Sequence, residues 1–433
     1  MGRDRHLLGK RDPHRRRAPS QEKTSRLSVR PTARGWQAIV FGALVMFVAR
    51  MIGTTQFYQL GYALLGLVLV ALFLGLLGFR KIEFSRNLPS GVRFVAGKEA
   101  RIDLLLYNGS RFDASEVSIA DRLPKPRSFE IPALRGGGGD VVEVPVTFKR
   151  RGVYELGPAE VRALEPFRLL QFVRKFQERV EVVVYPEVHE LSGFSLGAGN
   201  TEAGARGALG QRGEEFAGLR EYRRGDDRRH IHWKSVARTG ELMVKEFALQ
   251  APRRYTVALD LRREGLRVPE TEVEDAVSTA ASVLTHLKEE GLPFRLRCND
   301  REQTATEFGA DESSYWAAMR LLATAKAGGN VGLGATVLED QEKLGEGVVL
   351  ISRSADDSLP RTVRKLRGSG LSVVVVAFAT HTYRFGEVGE QAWTREAEFL
   401  RNLARLESSG AVVRTVRQAE GVAGLTVRQR VTG

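Results

Sequence analysis

Two long apolar runs stand out near the start of the chain. The first, Trp36–Val48, contains a single polar residue and can be extended to Ile52, and the second, Phe57–Phe79, carries no charge. At about 1.5 Å of rise per residue, the second run exceeds the roughly 30 Å hydrocarbon core of a bilayer, and the first is about as short as a spanning helix can be. The pattern therefore predicts a transmembrane helical hairpin over residues 36–79.

Short runs of alternating polar and apolar residues follow the second apolar run. Between residues 82 and 190 they are rich in Val, Ile and Leu, and turn residues such as Asn108-Gly109 and Gly136–Gly139 separate them. This pattern is typical of antiparallel strands and predicts a β-rich, sandwich-like domain over residues 82–190. Residues 191–212 are rich in Gly and Ala, lack an apolar period, and are predicted to be a linker.

The C-terminal part of the chain has a third pattern. Continuous apolar runs such as Gly347–Ser352 and Leu371–Phe378 are typical of buried parallel strands, and Thr271–Glu290 carries apolar residues at helical spacing. Strands that alternate with helices predict a doubly wound α/β domain over residues 253–420.

Charge is concentrated at the N-terminus. Residues 1–35 carry 11 Lys or Arg and three acidic residues, so this basic tail holds +8 of the net charge of +14. Basic residues before the first apolar run, with Arg80 and Lys81 after the second, predict that both termini and the soluble domains are cytoplasmic, at the inner membrane. Because membrane topology explains most of the charge, nucleic acid is not a predicted partner.

The densest group of chemically active side chains lies in residues 213–247. Arginines and carboxylates alternate there with aromatic residues, which favours an ion-paired segment that presents a recognition surface. The interleaved carboxylates would repel the phosphates of a nucleic acid. His230 and His232, with the Asp226–Asp227 pair nearby, leave a metal site open as an alternative, although no third ligand lies at a fixed spacing.

The string Arg220–Phe247, REYRRGDDRRHIHWKSVARTGELMVKEF, closely resembles the signature of the bacterial family named domain of unknown function 58. The motif Arg151–Pro158 (RGVYELGP) and the motif Glu165–Arg168 (EPFR) extend the resemblance, although the family usually has D-P-F-G in the second. The resemblance implies a von Willebrand A-like C-terminal domain and a MoxR-type AAA+ ATPase as partner, with no catalysis.

The residues expected to form the partner-binding or structural surface all lie in this signature. They are Arg220, Glu221, Tyr222, Arg223, Gly225, Asp226, Arg229, Ile231, Trp233, Lys234, Ala237, Arg238, Thr239, Gly240, Lys245, Glu246 and Phe247.

No cofactor or metal is predicted. Von Willebrand A domains hold a divalent ion in an Asp-x-Ser-x-Ser loop, whereas this chain has Asp260-Leu261-Arg262-Arg263-Glu264, in which Arg262 replaces the first Ser. A guanidinium there would repel a cation or pair with Asp260, so the site is degenerate. Gly332 and Gly334 form only a lone Gly pair, not a phosphate-binding loop. Cys298 is the only cysteine, so no intramolecular disulfide can form.

Together these features predict a membrane-tethered adaptor or scaffold that is not an enzyme. Its partner would be a MoxR-type AAA+ ATPase, in protein-complex assembly or envelope maintenance. Two alternatives stay open: a metal-dependent hydrolase that uses His230, His232 and Asp226, and a structural envelope-assembly protein without an ATPase partner.

Overall fold

The structure is a computed structural model of the chain, which divides into two compact units, residues 1–185 and 186–433. The residues that the structure describes are 26–89, 91–123, 125–191, 193–194, 196, 214–222, 231–249, 253–263, 270–353, 358–383 and 390–426. The first unit contains the two apolar helices and the β-rich region, and the second contains the signature and a parallel sheet.

Among its described residues, the first unit has a strand and two helices, followed by strands only. Its elements are β1 (Arg26–Pro31), α1 (Ala33–Ile52), α2 (Thr55–Phe79), β2 (Ile82–Asn87), β3 (Phe94–Val95), β4 (Glu99–Asn108), β5 (Ala114–Leu123), β6 (Lys125–Leu134), β7 (Gly139–Thr147), β8 (Gly152–Leu156), β9 (Ala159–Leu164), β10 (Leu170–Phe176) and β11 (Val180–Tyr185).

Helices α1 and α2 pack as an antiparallel hairpin. Gly42 of α1 lies against Leu65 of α2, and Gly61 of α2 lies against Met46 of α1, so small residues let the two backbones approach. Both helices are long and apolar enough to cross a membrane. The predicted pair of apolar helices is therefore confirmed, with α1 beginning three residues earlier than expected.

Residues 26–31, predicted as the end of a basic tail, instead form a strand. β1 pairs antiparallel with β10, with Arg26 opposite Lys175 and Pro31 opposite Leu170. The apolar residues of this segment alternate with polar ones at the spacing of a strand, but the high charge of residues 1–35 favoured a tail. As a result, the chain enters α1 from the same β-region that it rejoins after α2.

The β-region consists of three sheets around one core. Their strand orders are β1-β10-β9-β5-β6, β2-β4-β7 and β3-β11-β8, and all pairs are antiparallel except β3 with β11. On β4, Ile102, Leu104 and Leu106 are buried while the residues between them are more exposed, as expected for a strand with one face in a core. The predicted antiparallel β-rich region is thus confirmed.

The last turns of α2 pack on this β-region. Gly75 lies against the Phe172 ring of β10, and the ring of Phe79 contacts Phe172 with centroids 6.1 Å apart. Gly78 lies close to the carbonyl oxygen of Asp113. The C-terminal end of α2 is therefore part of the β-region's core.

The second unit alternates strands and helices. Its elements are β12 (Glu214–Glu221), α3 (Trp233–Thr239), β13 (Met243–Leu249), β14 (Tyr255–Leu259), α4 (Glu270–Glu289), β15 (Phe294–Cys298), α5 (Glu312–Thr324), α6 (Leu333–Glu339), β16 (Gly347–Ser352), α7 (Leu359–Gly368), β17 (Ser372–Phe378), α8 (Glu390–Ser408) and β18 (Val412–Val416).

Five of these strands form a parallel sheet in the order β15-β14-β16-β17-β18. Every residue of β14, β15 and β16 is buried. β14 and β16 are mainly apolar, as buried parallel strands require, whereas Arg295 and Arg297 of β15 pair with Asp340. The predicted parallel α/β region is confirmed. Because the strand order reverses between β14 and β16, the crevice at which such sheets usually bind ligands lies at the carboxyl ends of these two strands.

The beginning of the predicted linker belongs to the second unit. Leu191 and Phe194 are 4% and 5% exposed, and the Phe194 ring lies edge-on to His286 of α4 with centroids 5.9 Å apart. The first residues of the predicted linker are therefore buried within the second unit. From residue 197 onward the predicted linker lies outside the described residues.

Candidate functional site

The signature folds around a two-stranded antiparallel sheet. β12 pairs with β13, with Glu221 opposite Met243. On its other side β13 forms a bridge between Val244 and Ile231, and the backbone N–H of His232 donates to the Met243 carbonyl at 2.9 Å. The segments before and after the undescribed residues 223–230 therefore lie on either side of β13.

Helix α3 follows directly and ends at a glycine of the signature. Gly240 is left-handed at φ 77°, and its N–H donates to the Val236 carbonyl at 2.9 Å. A side chain at this φ would be strained, so the conformation explains why the signature has Gly here.

Most of the predicted site residues lie in or next to this two-stranded sheet and helix α3. It describes the side chains of Glu221, Tyr222, Ile231, Trp233, Lys234, Ala237, Arg238 and Gly240. It describes only the backbone positions of Arg220, Thr239, Lys245, Glu246 and Phe247. Outside the described residues lie Arg223, Gly225, Asp226 and Arg229, and also His230 and Asp227 of the metal alternative.

The two-stranded sheet and helix α3 of the signature expose apolar side chains. Ile231 and Val244 are buried, but Trp233 is 65% exposed and Leu242 is 45% exposed. Trp233 follows His232 and Leu242 precedes Met243, and the backbones of His232 and Met243 are hydrogen-bonded to each other. Lys234 and Arg238 of α3 are also exposed, as are the acidic residues Glu221 and Glu241. We name the exposed residues Trp233, Lys234, Arg238 and Leu242 the signature patch.

His232 takes part in a local turn. Its Nδ1 lies 2.8 Å from the Ser235 hydroxyl, and the Ser235 N–H donates to the His232 carbonyl at 2.9 Å. Among the described residues no group of three His, Cys, Asp or Glu side chains could hold a metal ion.

The carboxyl edge of the parallel sheet is a second polar site. Asp260 follows β14, Asn299 follows β15 and Arg353 follows β16, and all three are at most 3% exposed. The Asn299 amide donates to Asp260 Oδ1 at 2.9 Å and to the Val331 carbonyl at 2.9 Å, and its Oδ1 accepts the Leu261 N–H. These contacts tie the loops after β14 and β15 together.

A buried guanidinium occupies this edge. Arg353 donates from Nη1 to the Asp260 carbonyl and from Nε to Glu272 Oε1, each at 3.2 Å, and Glu272 is 4% exposed. Arg262, the residue predicted to repel a cation or pair with Asp260, donates its backbone N–H to Asp260 Oδ1 at 3.1 Å. Arg353 was missed, although its place directly after a buried strand could have indicated it.

Two further clusters join the later strands to helices. Glu396 of α8 accepts two bonds from Arg417, at 2.6 and 3.1 Å, and lies 2.6 Å from His381 Nε2. The hydrogen bond from Arg417, with His381 adding to it, lowers the pKa of Glu396. Tyr383 donates to Asp275 of α4 at 2.7 Å, and burial raises the pKa of Asp275.

Glu396→Gln is expected to destabilise the second unit at neutral pH but not in acid. A carboxylate with a lowered pKa contributes stability above its unfolded-state pKa of about 4.3, and this contribution is lost as the pH falls through the lower folded-state pKa. We expect a loss of about 1 kcal/mol at pH 7 that shrinks below about pH 4. Thermal unfolding of both proteins across this range measures it, and an equal difference at both ends would contradict the assignment.

The EPFR motif holds the N-terminus of α1. The buried Glu165 carboxylate accepts the backbone N–H groups of Phe167, Leu169 and Leu170, which fixes the loop. The carbonyl of Leu169 then accepts both the Thr32 backbone N–H, at 2.8 Å, and the Thr32 hydroxyl, at 3.0 Å. The motif thus attaches the first apolar helix to the β-region.

Arg168 stands where the family usually has Gly. Its φ is 57°, a left-handed conformation that favours Gly, and its guanidinium pairs with Glu116, which is also left-handed at φ 46°. The ion pair offsets part of the backbone strain at these two positions.

Comparisons with known proteins agree with the signature. Residues 218–345 match the family described as "Protein of unknown function DUF58", which confirms the predicted family and extends it into the α/β region. The "Uncharacterized protein YeaD" of Bacillus subtilis (strain 168) is 24% identical over 310 residues, a match that covers 67% of this chain and 75% of YeaD.

Two solved domains are similar to smaller parts of the chain. The CARDB domain of PF1109 from Pyrococcus furiosus has 11% identity and a TM-score of 0.18, covering 24% of this chain and 94% of that one. PapD-like domain 7 of human CEP192 has 15% identity and a TM-score of 0.16, covering 24% and 83%. Scores this low carry no argument, so the architecture rests on the chain's own strand pairing.

Proposed function

We propose that this chain, a member of the DUF58 family, is a non-enzymatic adaptor that is tethered to the inner membrane and holds a MoxR-type AAA+ ATPase at its cytoplasmic face. The signature patch carries the proposal. It contains Trp233, which is 65% exposed, and an exposed Arg238, and Trp and Arg are residue types that are enriched at the centre of protein interfaces.

The attachment of the hairpin supports the tether. Because β1 precedes α1 and β2 follows α2 in one β-region, both ends of the hairpin lie on the same side of any bilayer that it crosses. Arg34, Arg80 and Lys81 lie at that end, after a basic N-terminal tail, and only Arg50 lies near the connection between the helices. The positive-inside rule then assigns the β-region to the cytoplasm.

The sheet supports a von Willebrand A-like domain without a metal. Its first strand ends at Asp260, at the switch point where such a domain would hold its ion. The Arg353 guanidinium is hydrogen-bonded to the Asp260 carbonyl there and paired with Glu272, so an internal ion pair occupies this edge. We therefore assign this edge a structural role and assign partner binding to the signature patch.

Affinity capture from crosslinked membranes tests the proposal. Trp233→Ala is expected to weaken binding by about 2 kcal/mol, roughly thirtyfold, as for an aromatic residue at the centre of an interface. Trp393→Ala is the matched control, because Trp393 is 78% exposed on α8, outside the signature. The proposal holds if wild type and Trp393→Ala capture the ATPase and Trp233→Ala does not. It fails if no ATPase is captured, or if both variants capture it equally.

A further inference from the structure

Three loops of the β-region surround the end of the hairpin, and we propose that they form a surface that inserts into the anionic headgroup layer of the membrane. We name them the foot loops; they are residues 109–113, 135–138 and 165–169. The inference rests on the proposed tether, and it adds a second membrane contact beyond the two helices.

The contacts of the hairpin place the foot loops at its base. The Ser110 hydroxyl donates to the Gly78 carbonyl at 3.3 Å, and the Gly109 N–H donates to the Lys81 carbonyl at 3.0 Å. The Gly136 N–H donates to Asp113 Oδ1 at 2.7 Å, so the second loop is attached to the first. The third loop, as described above, holds the first turn of α1.

The foot loops present aromatic side chains to the outside. Phe112 is 50% exposed and Phe167 is 44% exposed, each at the tip of a polar loop where no core requires it. On α1, Trp36 is 57% exposed in the first turn, directly beside the third loop. Aromatic rings that lie at one end of a membrane span are typical of the interface between headgroups and acyl chains.

The charge around these rings suits an anionic surface. The exposed basic residues at the base of the hairpin are Arg34, Arg80, Lys81, Arg111, Arg135 and Arg168. These six cations outnumber the accessible carboxylates around them, which are Glu83, Asp113 and Glu116, the last of them paired with Arg168. Cations that lie near an anionic leaflet are attracted to it, and the attraction falls off within a Debye length.

The length of α1 supports a position of the foot loops within the headgroup layer. From Trp36 to Ile52 it has 17 residues, which span about 25 Å, less than the roughly 30 Å hydrocarbon core. Such a span is accommodated by thinning of the bilayer and by flanking residues that reach the interface, so Arg34 and Trp36 at its end lie at the headgroup level. The base of the hairpin, and the foot loops with it, would therefore lie within the headgroup layer.

Spin labelling of the full chain in vesicles tests this inference. Nitroxides are attached to Phe112→Cys, Phe167→Cys and, as a control, Val153→Cys, which is 46% exposed on β8. A label at Leu44→Cys, midway along α1, reports the tether. Cys298 is buried and is not expected to be labelled in the folded protein. Collision with oxygen, which enters lipid, is compared with collision with a water-soluble nickel chelate.

In vesicles that contain phosphatidylglycerol, labels at 112 and 167 should have a several-fold higher oxygen-to-nickel ratio than the label at 153. Arg111→Ser with Arg135→Ser should reduce this ratio, and Lys98→Ser, a control in another exposed turn, should not. Equal ratios at 112, 167 and 153 with Leu44 in lipid would overturn the foot-loop surface but leave the tether. A Leu44 label in water would overturn both. An unchanged ratio in the double Arg variant would overturn the role of anionic lipid.

Discussion

Replacing Asp121 with Ala is expected to lower the free energy of unfolding of the β-region by about 3–5 kcal/mol. Its carboxylate accepts two bonds from Arg86, Nε to Oδ2 and Nη2 to Oδ1, each at 2.8 Å, and both side chains are fully buried. Arg86 also donates to the Glu178 carbonyl at 3.1 Å, so the pair connects β2, β5 and the segment before β11. Without Asp121 the guanidinium stays buried with no compensating charge.

Pulse proteolysis in urea, on the full chain in detergent micelles, measures this loss from the survival of first-unit fragments. Glu155→Ala is the matched control, because its partner Arg179 lies 2.7 Å away but the two side chains are 53% and 61% exposed. An exposed pair contributes about 0–1 kcal/mol. Equal effects of the two substitutions would show that the Arg86 pair has no special role in the β-region.

Arg353→Met is expected to cost the second unit about 3–5 kcal/mol, because it leaves the buried Glu272 carboxylate without its guanidinium partner and removes a donor to the Asp260 carbonyl. Amide hydrogen exchange of β14 and β16, read by mass spectrometry, should show the loss. The double variant Arg353→Met with Glu272→Leu should recover much of it, since an apolar pair of similar volume replaces a buried ion pair at little cost.

The exposed Arg364 of α7 provides the control for this site. Arg364→Met removes the same charge from the surface of the same unit and should change the unfolding free energy by about 0.5 kcal/mol or less. If Arg353→Met is equally mild, the Arg353 guanidinium does not hold the edge of the sheet together.

The elements that depend on local pattern could be predicted from the sequence. The two apolar helices follow from length and lack of charge, and the parallel strands follow from apolar runs such as Ser372–Phe378. The strand Arg26–Pro31 could not be predicted with the same ease, because its partner β10 lies about 140 residues later in the chain. Helix Leu333–Glu339 is too short for a helical period to stand out.

The candidate sites, too, could be predicted from the sequence only in part. The signature was evident as a string, and its family was confirmed, but the exposure of Trp233 depends on which face the small unit buries. Arg353 is an ordinary cation in the sequence, and only the order of the sheet brings it to Asp260 and Glu272. Glu165 likewise organises the loop that holds α1 through contacts with backbone groups, which no side-chain pattern records.

Site-specific photocrosslinking in intact cells tests the adaptor function most directly. A photoreactive phenylalanine analogue replaces Trp233 in one protein and Trp393, a somewhat more exposed position on α8, in another. We expect the probe at position 233 to crosslink a MoxR-type AAA+ ATPase, identified by mass spectrometry, and the probe at position 393 to crosslink it weakly or not at all. Probes that both crosslink other membrane proteins, and no ATPase, would contradict the adaptor function.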